Sequence, residues 1–283
     1  MLLLERLRPD LPGRFQTFEP WRLAFLALAV FGPIVALLLV LGRRPHSAES
    51  ASQRRVSQDP ARHESSRQTL ASYFAAYWRT LSALVVGAGL ASVGMSAVGT
   101  WIPIIAAREF GATPAQLGQG IGLALLGGTL VGAILGTRMI RVMHRALGEA
   151  AGIRLIALAN LAAALLSILL LFVHSAGEIY LLTGVLIVPL VGGAIVTPNV
   201  MQDVCPAHLR ARVISVLMMV SLAFGVLSPV LVGIVSDAAR GVHSGLAYAL
   251  VSITLACAGG GALLLRINES AGARLIRAMQ LTS

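Results

Sequence analysis

The chain has 283 residues, 57% of them hydrophobic and only 12% charged, with a mean hydropathy of +0.82. A soluble domain carries about 25% charged residues, so a water-soluble globule is excluded unless most of the chain lies in lipid. The formal charge of +10 does not indicate nucleic-acid binding, because the arginines stand between apolar segments and not on one face of a folded domain.

All 22 basic side chains are arginine, which reads as the coding bias of a GC-rich bacterial genome. The first 14 residues are not a signal peptide, since the apolar run from Leu2 to Leu4 is too short for an h-region. Residues 22–41 form the first segment able to span a bilayer, with Trp21 at a headgroup position. No small-residue cleavage site follows, so the segment is expected to remain as an anchor. Residues 43–66, rich in arginine, serine and glutamine without apolar periodicity, read as a flexible linker. Leu70, Tyr73, Phe74, Tyr77 and Trp78 then recur at helical spacing. They describe an interfacial helix or the first turns of the next span.

Six more spans are expected at residues 81–106, 116–137, 153–173, 180–197, 213–235 and 245–265. Residues 198–212, with Pro198 and Pro206, read as a polar loop. The fold class is therefore all-α and integral to the membrane. Residues 1–42 carry the leading span, 43–80 the polar linker, 81–266 a six-helix body and 267–283 a cytoplasmic tail. With the N-terminus outside, 16 arginines fall on the cytoplasmic side and six outside. Arginine bias therefore predicts N-out, C-in.

No acidic residue falls inside these spans, so the usual intramembrane proton relay is not evident. Gly128, Gly132 and Gly136 repeat every fourth residue and read as a close helix-packing face. Gly89, Ser92, Ser96, Gly99 and Pro103 line up at three- and four-residue spacing, with Thr100 and Trp101 at the outer end; the stripe reads as a small, weakly polar cavity wall or as plain helix packing, and Pro103, lacking a backbone donor, is able to kink the helix. Asn199 and Gln202 follow Gly192 and Gly193, where the helix is loosened, and such ends often face cavities. Asn160, in mid-span, is expected to be satisfied by a neighbouring helix. Cys205 and Cys257 have no metal-ligand spacing and read as buried small hydrophobes. Hydrolase, Walker and zinc motifs are absent, so neither catalysis nor a cofactor or metal is indicated.

Several phrases resemble the major facilitator superfamily, specifically its C-terminal half, with spinster-like and organic-anion-like bacterial members the nearest subgroup. WRLAFLALAVFGPIVALLLVL (21–41) looks like the family's sixth helix, and WIPIIAAREFGATPAQLGQGIG (101–122) like its seventh-to-eighth helix junction. NVMQDVCPAHLRARVISV (199–216) resembles the loop before the eleventh helix, and SPVLVGIVSD (228–237) the family's G-P-x-x-x-G-x-x-S/T-D. LGTRMIRVMHR departs from the family's G-G-x-x-x-D-R, because Thr137 stands where an acid is expected. Arg138, Arg141, Arg210 and Arg212 are implied to act in cytoplasmic topology and gating. The resemblance also implies that five helices are missing, so this chain would supply one wall of a substrate cavity.

The expected function is secondary transport of a small molecule by a truncated or incomplete chain. The expected partners are the lipid bilayer, an unidentified small-molecule substrate, and a missing N-terminal half or a second copy. Nucleic acid is not among them. The alternative is a non-transporting membrane protein, such as a degenerate fragment or partner-binding subunit. An integral membrane enzyme is disfavoured because no polar catalytic cluster gathers at one membrane face.

Overall fold

A computed structural model describes residues 25, 29, 32–38, 41, 69–239, 241 and 244–281. The chain divides into two units, Met1–Arg67 and Gln68–Ser283. In the first, every described residue is helical. Trp21 and the linker at 43–66 lie outside the described residues.

Among the described residues the second unit contains six helical rods: α1 (Leu70–Phe110), α2 (Pro114–Leu147), α3 (Ala151–Ser167), α4 (Ala176–Asp203), α5 (Arg210–Ala238) and α6 (Gly245–Leu281). Local chemistry sets several ends. Thr69 caps α1 by accepting from the Ser72 N–H at 3.3 Å. Gly111 closes that helix at φ 61°, a left-handed conformation that disfavours side chains with a Cβ. Thr113 and Gln116 form a capping box before α2, with Pro114 at its first position. Ser175 caps α4.

Among the described residues, five continuous helical runs are long and apolar enough to cross a membrane. One of them, Pro114–Phe172, joins α2 and α3 through a short 3-10 turn at Gly148–Ala150. The packing shows that the chain reverses there. Gly128, Gly132 and Gly136 meet residues 184, 188 and 192 in rising order, so α2 and α4 run parallel. Gly152 meets Val200 while Gly193 meets Ala159, so α3 runs antiparallel to α4. The same reading sets α5 parallel to α1, through Gly89 with Phe224 and Gly233 with Trp101. It sets α6 antiparallel to α1, through Gly87 with Leu265 and Gly272 with Thr80. Direction thus alternates through all six rods.

Alternation gathers the arginines. Arg79, Arg138, Arg141, Arg145, Arg154, Arg210, Arg212, Arg266, Arg274 and Arg277 belong to one end of the bundle. Among the described residues, only Arg108 belongs to the other. Two apolar clusters fill the interior. One, toward the arginine-rich end, includes Tyr73, Ile153, Met201, Leu209 and Leu265; the other includes Ile102, Ile179, Leu186 and Leu250. The outer faces are apolar as well, with Leu126 and Leu130 on α2, Leu161 and Leu165 on α3, and Leu222 and Val226 on α5 all exposed. That surface suits lipid, not water.

Two stretches depart from the sequence reading, the loop expected from residue 198 and the tail expected from residue 267, while residues 70–78 take the second of its two alternatives. Residues 70–78 are continuous with α1, interrupted only at Tyr77, which leaves helical geometry at φ −119° and ψ 26°. Pro103 lies inside the helix without such a break. Helix α4 runs through Pro198 to Asp203, because Val200 and Met201 are buried and hold the last turns in the core. The stretch at 267–283 is helical to Leu281, with Leu275 and Ile276 buried. A π turn at Leu255–Gly259 interrupts α6 in mid-helix.

Candidate functional site

Small side chains on facing helices leave a cavity of about 200 Å³ where α1, α3, α4 and α5 meet. Ala88, Ala91, Ser92 and Met95 come from α1, and Ile156 and Asn160 from α3. Leu190, Gly193, Ala194, Thr197 and Pro198 come from α4, and Leu217, Met218 and Ser221 from α5. On α1 the spacing 88, 91, 92, 95 keeps one face on the cavity. On α4, Pro198 lacks the N–H that would otherwise bond the Ala194 carbonyl one turn earlier. The cavity lies between the two apolar clusters: Ala88, Ile156 and Leu217 belong to one, Leu190 to the other.

Its polar groups are few. The Ser92 hydroxyl donates to the Ala88 carbonyl at 3.1 Å, and the Thr197 hydroxyl to the Gly193 carbonyl at 2.9 Å. Both spend their protons within their own helices and keep oxygen lone pairs for an incoming donor. Asn160 is only 2% exposed, and its Nδ2 has no hydrogen-bond partner among the described residues. This corrects the expectation that a neighbouring helix satisfies it. The residue facing it on α6 is Gly261, where a Cβ would lie 3.5 Å from Nδ2, and a glycine offers no side-chain acceptor. Among the described residues, no ionisable side chain lines the cavity.

Of the stripe read from sequence, Ser92 lines this cavity. Ser96 sits beside Gly225 of α5. Thr100 is exposed, and Trp101 packs near Gly233 with its Nε1 buried and unpartnered. On α4, Asn199 is exposed, and the Gln202 carbonyl accepts from Arg210 Nε at 3.2 Å. Arg138, Arg141 and Arg212 are exposed, and Arg141 Nε donates to the Thr137 carbonyl at 3.2 Å. The glycine ladder abuts α4 backbone. A Cβ at Gly128 would lie 2.5 Å from the Gly184 oxygen, at Gly132 2.6 Å from that of Val188, and at Gly136 2.9 Å from Gly192.

The sequence reading missed a buried carboxylate. Glu269 of α6 is 5% exposed; it pairs with Arg154 of α3 at 2.7 Å and with Arg266 one turn before it. The stretch had been read as tail, and the signal that would have found it is the run of buried positions Leu265, Glu269, Gly272 and Ile276 at helical spacing. Nearby, Gln280 donates to Glu149 at 3.0 Å, and the Tyr73 hydroxyl donates to the Val204 carbonyl. These bonds tie α1, α3, α6 and the α4–α5 connection at the arginine-rich end. In that connection, burial pushes the Cys205 thiol from its ordinary 9.0 up to about 12, with Arg210 opposing.

The family model described as Major Facilitator Superfamily covers residues 11–229. No curated protein matches the chain.

Proposed function

The chain belongs to the major facilitator superfamily, and on that premise we propose that it moves a small molecule across the bilayer by alternating access. The carrying observation is the cavity at the meeting of α1, α3, α4 and α5, bounded by apolar packing toward each end of the bundle. We place the substrate path along Ser92, Ser96, Thr100 and Trp101 on one side. These residues run from the cavity toward the Phe110 end of α1. Asn199 and Gln202 continue it on the other side, from the cavity toward the arginine-rich end of α4. Rocking needs an opposing wall. A further helical body or a second copy of this chain supplies it in this proposal, against the apolar faces of α2 and α5.

The arginine asymmetry supports a cytoplasmic arginine-rich end, and hence a cytoplasmic C-terminus. With residues 22–41 as one more crossing, the N-terminus lies outside. Arg138, Arg141, Arg210 and Arg212 then stand at the cytoplasmic mouth. The resemblance to spinster-like bacterial members supports residence in a bacterial inner membrane.

Counterflow in proteoliposomes tests the reading. Saturable flux of a small molecule through the wild type, lost in Ala194→Phe, supports it. Equal flux through the wild type and the folded, cavity-filled variant overturns it.

A further inference from the structure

We infer that the last turns of α2 form a docking site for an anionic phospholipid, with Arg138, Arg141 and Arg145 around its phosphate and an acyl chain lying along Ile134 and Leu130. The inference goes beyond the transport reading and stands independently of it.

Three observations carry it. First, the three arginines and Val142 line an open groove of about 330 Å³. Their spacing of three and four residues puts them on one face of the helix. Like charges so placed repel one another, and α2 holds no carboxylate between Pro114 and Leu147 to offset them. Among the described residues none of the three joins an ion pair. By contrast, Arg154 and Arg266 at the same end pair with Glu269, and Arg210 is turned onto the Gln202 carbonyl. The groove on α2 is thus a concentrated positive charge that the chain itself leaves unmatched.

Second, Arg141 is held in place before any ligand arrives. Its Nε donates to the Thr137 carbonyl at 3.2 Å, one turn back on the same helix. The terminal nitrogens of that guanidinium take no bond among the described residues. A guanidinium fixed in this way presents paired donors, and a phosphate accepts two of them at once.

Third, the groove stands where a lipid changes from head to tail. Residues 116–137 rise about 33 Å at about 1.5 Å per residue, close to the thickness of a hydrocarbon core. Arg138 is the first side chain beyond that stretch. Just before it on the same face, Ile134 and Leu130 are apolar and exposed. A soluble anion gains from the arginines alone, whereas an anionic lipid gains from the arginines and the apolar stripe together. Charge and apolar surface in one line therefore favour the lipid. Seated there, it covers the arginine-rich third of α2 and leaves Leu123 and Leu126 to an opposing wall.

The test titrates the purified full chain, in mild detergent, with dioleoyl phosphatidylglycerol or dioleoyl phosphatidylcholine. Native mass spectrometry reads the bound lipid. Phosphatidylglycerol is expected to bind at least about tenfold more tightly than phosphatidylcholine. Arg138→Gln, Arg141→Gln and Arg145→Gln should each weaken phosphatidylglycerol about fivefold, and the three together at least about thirtyfold. A control combining Arg212→Gln, Arg274→Gln and Arg277→Gln removes the same charge from the same end and should weaken it less than about threefold. All six arginines are exposed, and thermal unfolding checks that both combined variants fold. Equal binding of the two lipids overturns the inference. So does an equal loss in the two combined variants, which reduces the effect to the net charge of that end. Displacement of phosphatidylglycerol by millimolar glycerol 3-phosphate overturns it in favour of a soluble anion. Unchanged lipid affinity in the folded α2 variant overturns it and leaves this face to a protein partner.

Discussion

Arg154 Nη2 lies 2.7 Å from Glu269 Oε1, joining the first turn of α3 to the last half of α6. The carboxylate is 7% exposed and the arginine 31%. Removing the carboxylate leaves Arg154 near the core, with an Nε that is already buried and unpartnered. Glu269→Ala is expected to lower stability by about 2–3 kcal/mol, the partial exposure of both arginines reducing the larger cost of a fully buried pair. Arg154→Met combined with Glu269→Leu should recover most of that loss. Unfolding of detergent-solubilised variants followed by tryptophan fluorescence reads both.

The α2–α4 seam is a backbone contact. Gly132→Ala places a methyl 2.6 Å from the Val188 carbonyl oxygen, and neither backbone can turn aside as a side chain would. A loss of about 1–3 kcal/mol is expected. Gly127→Ala on the same helix, with nothing within 4 Å, should stay within about 0.5 kcal/mol of wild type. Thermal unfolding of the pair in one detergent is the comparison.

Ser228 of α5 is fully buried and donates to the Val93 carbonyl of α1 at 2.8 Å. Ser228→Ala should cost about 0.5–1.5 kcal/mol, the usual range for a hydrogen bond between helices in lipid. Unfolding by detergent titration is sensitive enough to detect it.

Cys205 is 1% exposed, and burial holds its thiol in the neutral form up to about pH 12, against an ordinary 9.0. Since the thiolate is the nucleophile, maleimide should modify this residue at neutral pH about a hundredfold more slowly in the folded chain than after unfolding. The folded state binds the proton more tightly than the unfolded one. Its contribution to stability is therefore complete below pH 9 and falls as pH rises toward about 12. Peptide-resolved labelling and a pH series of unfolding curves check the two halves of this statement.

Fold class was legible because it depends on amounts: 12% charge cannot dress a soluble surface. The boundaries were legible only where an apolar run ends in polar residues at its own helix tip. At Pro198 the local pattern says stop, but Val200 and Met201 are buried and hold the helix to Asp203. Ser92 stands on the cavity lining because small residues at helical spacing share one face of α1. Asn160 was misjudged because its fate depends on what stands opposite, and Gly261 lies a hundred positions on in the chain. Glu269 escaped because its stretch reads as tail, although Leu265, Glu269, Gly272 and Ile276 fall at helical spacing on one buried face. For Asn160 the deciding neighbour is a tertiary one, which no periodicity encodes.

The two parallel pairings, α2 with α4 and α1 with α5, bear on biogenesis. Helices enter the bilayer in chain order, and a hairpin of sequential neighbours packs as soon as its second member arrives. Here Gly128, Gly132 and Gly136 stay open to lipid until the segment around Val188 has been inserted, with α3 already in place. Ser92 and Ser96 wait longer still, for Gly225 of α5. The nascent protein must therefore hold unmated backbone seams in the membrane through most of its synthesis. That interval is when a chaperone or the insertion machinery has surface to grip.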